Sequence, residues 1–458
     1  MKNYRRYPEY KDSGIEWLGE IPAHWEIVSV KRFAEIVNGA TPRSSESEYW
    51  NGNIAWATPD DLGQLRSRVL KDTSRHITKA GYASCGTTLI PPGSLIISTR
   101  APIGHLAIAG RELCINQGCR GLILNEHDSS EYRYYSILAV KPILQSLGEG
   151  STFRELPRDT LANVVLSNPP QKERKAIADF LDRETAKIDA LVEKKERLIE
   201  LLKEKRTALI SHAVTKGLDP NVPMKDSGIE WLGQIPAHWE VKPFKQLFVV
   251  IYRYPTYYNI QYVTEGIPEI RGEALTENGD IISLEYERYI SCETDARYPR
   301  TKLQLGDLVM SVRGTMGKIG LVDQRYVGAN ITANLMRLSP KKDVSSLFLR
   351  WFFLSEYFNQ LLNNVSSQTT IKTITVPQLS QIPVTLPPQD EQRTIAAFLD
   401  RETARIDALI EKIRKSIDLL REYRTALISA AVTGEIDVRG GIEQETKVTK
   451  RSKRTLLL

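Results

Sequence analysis

The sequence predicts an α+β protein: two homologous, strand-rich α/β domains separated by two long helices, the helices forming an antiparallel coiled coil with pseudo-twofold symmetry. Three observations predict it: a near-identical internal repeat, an apolar stripe of helical spacing closing each repeat, and strand-like apolar runs between turn signals inside it. KDSGIEWLGEIPAHWE at Lys11–Glu26 returns at Lys225–Glu240 with one change, Gln234 for Glu20. PPQKERKAIADFLDRETAKIDALVEK from Pro169 is answered by PPQDEQRTIAAFLDRETARIDALIEK from Pro387. Chance does not produce such matches, so the unit is one globular segment followed by one long helix, made twice.

The helices come first because their signals are strongest. Each opens after a Pro-Pro pair and closes near a glycine, Gly217 or Gly434. Steps of four and three residues give Ile177, Leu181, Glu184, Ile188, Leu191, Lys195, Leu198, Leu202, Lys205 and Leu209 in the first. The second gives Ile395, Leu399, Glu402, Ile406, Leu409, Ile413, Ser416, Leu420, Tyr423 and Leu427. Most of these positions are apolar, which is a coiled-coil seam, and the simplest partner for each helix is the other. About 42 residues at about 1.5 Å each make a rod of roughly 60 Å, the length of a spacer. Glu184 and Glu402, beside Arg183 and Arg401, are expected at the edge of the seam with their carboxylates in water.

Within the globular segments, SLIISTRAPIG at Ser94 matches DLVMSVRGTMG at Asp307, each a strand ending at an arginine and a small-residue turn. Asn116 is set opposite Asn330, and the apolar-aromatic stretch Tyr132 to Leu147 opposite Ser346 to Val365, both with helical spacing. Ser151, Thr152 and Arg154 then face Thr369, Thr370 and Lys372. The expected divisions are a first domain at 1–168, a spacer helix at 169–217, a second domain at 218–386, a second spacer at 387–436, and a basic, disordered tail at 437–458.

Composition bounds the function. At 458 residues, 41% hydrophobic and 26% charged, the chain is long enough for about three folded domains. The net charge of +6 shrinks to +1 when Lys447, Lys450, Arg451, Lys453 and Arg454 are set aside, so nucleic-acid binding has to come from patches. Cys85, Cys114, Cys119 and Cys292 have neither disulfide nor zinc spacing, and no apolar run reaches membrane length, which places the chain in the cytosol. Candidate catalytic motifs fail one by one. Asn168-Pro169-Pro170-Gln171 lacks the aromatic residue with which amino-methyltransferases stack a flipped base. Gly314 to Lys318 lacks phosphate-loop spacing, and no glycine-rich loop is placed for S-adenosylmethionine. Asp60 with Glu173 and Lys175 would make a nuclease set, but the second copy loses the lysine. His24 and His238, beside Trp25 and Trp239, are expected in packing.

Two related but divergent domains on a spacer suit a target of two parts at fixed separation, as double-stranded DNA offers. What both copies share should grip phosphates, which are blind to sequence: Arg100 with Arg313, Ser151 with Thr369, Thr152 with Thr370, and Arg154 with Lys372. What differs should read bases: Arg43, Thr58, Asp60, Gln64, Gln117 and Arg120 in the first domain, and Arg253, Arg271, Glu273, Thr332 and Asn334 in the second. A coiled-coil scaffold that binds protein or sugar rather than DNA is the rival reading.

With these residues in view, the chain resembles the DNA specificity subunit of type I restriction-modification systems over about 11–436. The twin helices, the twin DSGIEWLGxIPAHWE segments and the strand and turn of the second domain carry the resemblance. It implies two target recognition domains on a split, asymmetric site, with the repeated helices as conserved spacers. It implies no catalysis and no cofactor in this chain. Two methyltransferase (modification) subunits and the restriction (translocase/endonuclease) subunits would be its partners, and these would bind S-adenosylmethionine and ATP/Mg. The first domain departs from the pattern with Ala101-Pro102 where the second has Gly314-Thr315.

Overall fold

The structure, a computed structural model, describes residues 4–439 apart from 66, 127, 151–153, 254–259, 261, 285–286 and 366–372. The chain divides into two units, Met1–Lys194 with Lys415–Leu458, and Lys195–Arg414.

In the first unit Leu95–Ser98 is the middle strand of a five-stranded sheet, ordered Ala34–Asn38, Cys119–Leu124, Leu95–Ser98, Leu106–Ala109, Val69–Leu70. Successive side chains of a strand point to opposite faces, and here both faces are covered. Leu95 and Ile97 pack with Ile137 and Leu144 of the helices Ser130–Ala139 and Lys141–Ser146. Ile96 packs with Ala55, Leu113 and Ile115 of a four-stranded sheet, ordered His76–Ile77, Trp50–Ala57, Leu113–Ile115, Leu89–Ile90. Burial on both sides is why the strand reads as an unbroken apolar run.

The second unit repeats this plan with Leu308–Ser311 between Leu335–Pro340 and Ile319–Leu321, and Phe248–Arg253 at the edge. Leu308 and Met310 face Phe348 and Phe352 of the helix Ser346–Leu354, while Val309 faces Ile270 and Ile331 of the other sheet. In each domain the entering and leaving strands pair antiparallel: Glu26–Ser29 with Val165–Asn168, and Glu240–Pro243 with Pro383–Leu386. Each helical stretch expected from the aromatic spacing is two helices, the second copy breaking at Ser355.

The long helices run Gln171–Lys216 and Gln389–Thr433. In the first unit Asp189 pairs with Arg424 at 2.9 Å, and Ser167 Oγ donates to the Val432 carbonyl. The second helix thus ends on the first domain. In the second unit Arg206 pairs with Asp407 at 3.2 Å, and Thr385 Oγ1 donates to the Val214 carbonyl at 2.7 Å. In both units the early part of one helix lies beside the late part of the other, the pairing of antiparallel helices.

The expected seam is correct at one of its two alternating positions and displaced by one residue at the other. Thr185, Val192, Ile199 and Arg206 lie inward, with Glu184, Leu191, Leu198 and Lys205 outside them. Thr403, Ile410, Ile417 and Arg424 do the same in place of Glu402, Leu409, Ser416 and Tyr423. Leu191 and Leu409 are 43% and 44% exposed, whereas Thr185 and Ile410 are 4% and 5%. From Leu181 a stripe can step three and then four, through Glu184 to Ile188, or four and then three, through Thr185 to Ile188, and the inward polar residues disguise the true choice. Glu184 and Glu402 therefore stand at the edge, each holding its preceding arginine at 3.0 Å.

The repeated N-terminal segments lock onto the starts of the helices. Trp25 is fully buried, its Nε1 donating to Glu173 Oε2 at 3.0 Å, with His24 Nε2 2.8 Å from Oε1 of the same carboxylate. Trp239 and His238 repeat this on Glu391 at 3.1 and 2.8 Å. The glutamate weighed as a nuclease ligand is thus a packing anchor in both copies. In the first unit the chain stays in place beyond residue 437, where the tail was expected to begin. Val438 is buried, Arg5 and Asp437 form an antiparallel bridge, and Arg439 lies over the Tyr7 ring. The basic residues from Lys447 lie outside the described residues.

Candidate nucleic-acid interface

The strand-to-turn element after the middle strand is built alike in both domains. Ser98 Oγ donates to the Pro102 carbonyl at 2.7 Å and accepts from His105 N at 2.8 Å; Ser311 Oγ donates to the Thr315 carbonyl at 2.6 Å and accepts from Lys318 N at 2.9 Å. Gly104 and Gly317 close the turn at φ of +87° and +82°, a region that disfavours side chains. The first copy has a cis Ala101–Pro102 peptide where the second has Gly314 at φ +75°, yet the turn is wired alike. Arg100 and Arg313 therefore leave equivalent points of the two domains, both exposed.

Their surroundings differ. Arg100 Nε donates to Glu155 Oε2 at 2.9 Å, and Arg120 Nη2 reaches Oε1 of the same carboxylate at 3.3 Å. The strand bridge that sets Arg100 beside Glu155 sets Arg313 beside Thr373, a hydroxyl where the first domain has a carboxylate. Arg154, exposed, adjoins Glu155.

Several expected readers of the first domain gather next to this turn. Arg120 Nη1 also donates to the Gln117 carbonyl at 3.3 Å, and the Gln117 side chain accepts from Thr41 Oγ1. Thr41 belongs to the loop carrying Arg43, which is exposed. Gly39 enters that loop where a Cβ would lie 2.0 Å from the Asn116 carbonyl oxygen. Asp60 and Gln64 are exposed on the helix Pro59–Gln64, which abuts Gly118 through Pro59 and His105 through Gly63.

Thr58 is half-buried and serves as the cap of that helix. Its Oγ1 accepts from Asp61 N at 3.3 Å and donates to Asp61 Oδ2 at 2.7 Å, so its hydroxyl is committed to structure. Burial would raise the Asp61 carboxyl, but hydrogen bonds from Ser74 and Thr58 outweigh it and hold the group below the usual aspartate range.

In the second domain Thr332 N donates to the Ile270 carbonyl at 3.1 Å, as Asn116 N does to that of Ala57 at 2.9 Å. Val312 N donates to the Asn334 carbonyl at 2.9 Å, as Thr99 N does to that of Gly118 at 2.8 Å. Asn116 therefore corresponds to Thr332, not to Asn330 as matching by residue identity suggests. Asn330 is fully buried, its Nδ2 donating to Asp295 Oδ1 at 3.0 Å. By the same register Arg271 stands where the first domain has Thr58, and the exposed Glu273 where it has Asp60. Asn334, Arg313, Thr332, Arg271 and Glu273 thus share one edge. Arg253 ends the strand Phe248–Arg253 opposite Met336 and precedes the undescribed 254–259. Ser151, Thr152, Thr369, Thr370 and Lys372 lie outside the described residues.

Sequence reasoning passed over Glu155 and a group at the loop carrying Arg43. There Trp50 Nε1 donates to the Arg43 carbonyl at 3.2 Å and Trp56 Nε1 to that of Ala40 at 3.0 Å, with Arg75 laid on both rings. A signal existed: Arg75-His-Ile-Thr and Arg288-Tyr-Ile-Ser stand at the same distance before Arg100 and Arg313. Among the described residues no cluster of His, Cys, Asp and Glu is arranged to hold a metal ion, and no helix is long and apolar enough to cross a membrane.

Known proteins match this architecture along nearly the whole chain. The MjaIX type I restriction enzyme specificity subunit of Methanocaldococcus jannaschii is 26% identical over 96% of this chain and 99% of that protein. The EcoBI specificity subunit of Escherichia coli is 23% identical over 98% and 94%. Among solved structures, a chain of a type I R-M system superimposes with a TM-score of 0.65 at 18% identity, covering 90% of this chain and 98% of that one. The HsdS subunit from Thermoanaerobacter tengcongensis gives 0.55 at 17%, covering 91% and 98%. The profile of the type I restriction modification DNA specificity domain matches twice, at residues 22–201 and 236–419, once on each copy of the repeat. With the duplicated fold and both copies accounted for, the chain belongs to the type I restriction modification DNA specificity domain family.

Proposed function

We propose that this chain is the sequence-reading subunit of a type I restriction-modification complex, and that each strand-rich domain, within 1–168 and 218–386, reads one half of a split, asymmetric site in double-stranded DNA. The observation that carries this reading is an edge made twice with a common arginine turn, Arg100 and Arg313, and different neighbours. A common turn suits phosphates, which every sequence presents. Gln117 and Arg120 beside it in one copy, and Arg271 and Asn334 in the other, suit different base edges. The long helices dock two modification subunits and the restriction subunits join these. Methyl transfer and cleavage then belong to the partners, which hold S-adenosylmethionine and ATP/Mg, while this chain is non-catalytic and selects the site.

Exchange of residues 241–386 for the equivalent segment of a relative, followed by sequencing of methylated sites in cells carrying the whole complex, tests the assignment. One half of the methylated motif is expected to change while the other stays. An unchanged motif, or loss of both halves from a folded, assembled complex, overturns it.

A further inference from the structure

A second arginine pair occupies matching places in the two domains. Arg75 lies 3.8 Å above the centroid of the Trp50 ring, and Arg288 lies 5.4 Å from that of Tyr262. Their equivalence rests on the sheets: Trp56 N donates to the Arg75 carbonyl at 3.1 Å, and Glu269 N to that of Arg288 at 2.9 Å. Two residues on, Ile77 pairs with Trp50 and Ile290 with Tyr262. Each domain thus sets a guanidinium on an aromatic ring at the same point, although the ring differs. Both arginines are exposed, Arg288 lying close to the Tyr262 hydroxyl and to the Glu269 carboxylate beneath it.

Stacking orders the flat face of a guanidinium and leaves its N–H edge available, which is the state in which arginine meets a phosphate with least loss of side-chain freedom. The location agrees. The Trp50 and Trp56 rings under Arg75 are hydrogen-bonded to the backbone of the loop bearing Arg43. Arg288 is bonded through its carbonyl to Glu269, two residues before Arg271. A position shared by both copies, on a surface whose residues outside the Arg100 and Arg313 turn diverge, fits a contact that both halves of a target need.

Resting on the recognition reading, we propose that Arg75 and Arg288 are phosphate contacts, one per domain, preset by Trp50 and Tyr262. The test uses the full chain purified with its modification subunits, titrated against a duplex bearing the methylated motif and against a scrambled duplex at several salt concentrations. Arg75→Gln and Arg288→Gln are each expected to weaken binding to both duplexes about 3- to 10-fold and to lower the salt slope by about one. The methylated motif should stay the same.

A purely structural role would shift thermal unfolding and leave the salt slope intact, which overturns the proposal. Loss confined to the motif-bearing duplex overturns it in favour of base reading. Phenylglyoxal labelling of the wild-type complex covers a variant that fails to fold: saturating duplex should protect both arginines, and undiminished labelling overturns the assignment. A wild type that binds neither duplex overturns the recognition reading as well, whereas bound wild type with unaffected variants overturns this inference alone.

Discussion

At the scale of single residues, burial decides what each charged group can do, and burial is what a linear sequence conceals. Arg100 stood out because its strand and turn are repeated, but nothing in the sequence showed Glu155 folding back to hold both it and Arg120. Thr58 sat among plausible readers and is a helix cap. Glu269 is 5% exposed, with both its carboxylate oxygens shut off from water. Burial pushes this carboxyl from 4.5 up to about 6, with Tyr262, Arg288 and Arg271 offsetting it only in part. The unfolded chain therefore ionises first as pH rises. The stability contributed by the protonated group is complete below about pH 4.5 and is lost by about pH 6, roughly 2 kcal/mol in all. Glu269→Gln, which cannot ionise, should gain about that much relative to wild type between pH 4.5 and 7. Denaturant melts across that range would show it, and a constant difference would mean that ionisation is not the cause.

At the scale of elements, helix extents were legible from proline pairs, glycines and apolar spacing, whereas the facing sides were not. Arg206 and Arg424 look like solvent-exposed arginines in the sequence, yet they lie on the inward stripe because Asp407 and Asp189 receive them. The junction of domain and long helix shows the opposite case, polar residues buried together in one copy only. Asp128, 7% exposed, holds Arg133 at 2.8 Å and Arg174 at 2.7 Å, and Asn168 accepts from Arg133 at 2.7 Å. The second copy has Val344, Leu349, Gln392 and Leu386 at these four places. Removing one partner of a buried ionic set strands the others, at about 3–5 kcal/mol. Asp128→Val alone should cost about that much by thermal or denaturant unfolding. Asp128→Val with Arg133→Leu, Asn168→Leu and Arg174→Gln should recover most of it. A fourfold variant no more stable than the single one would show that the set is not exchangeable as a block.

At the scale of the whole chain, duplication was the most legible feature, since two copies of one sequence imply two copies of one fold. Register inside the divergent parts was less so: Asn116 and Asn330 matched by identity lie two residues out of step, and only the hydrogen bonds to Ala57 and Ile270 restore the alignment. Both long helices pass from one unit to the other, at 194 and at 414. Seven residues added to each helix at those points keep every heptad in phase and add about 10 Å of helix. If the spacers set the gap in the target, methylated-site sequencing should return the same two half-sites with a changed number of bases between them.

The bridge between Arg5 and Asp437 has a consequence for biosynthesis. Lys195–Arg414 is one continuous stretch and can close its own core as soon as it has left the ribosome. The first domain must wait for residues made after the second domain is complete, because Ile436 and Val438 pack in the cluster around Trp25. Order of folding thus inverts order of synthesis, and a premature stop near residue 434 would injure the first domain, more than 250 residues upstream.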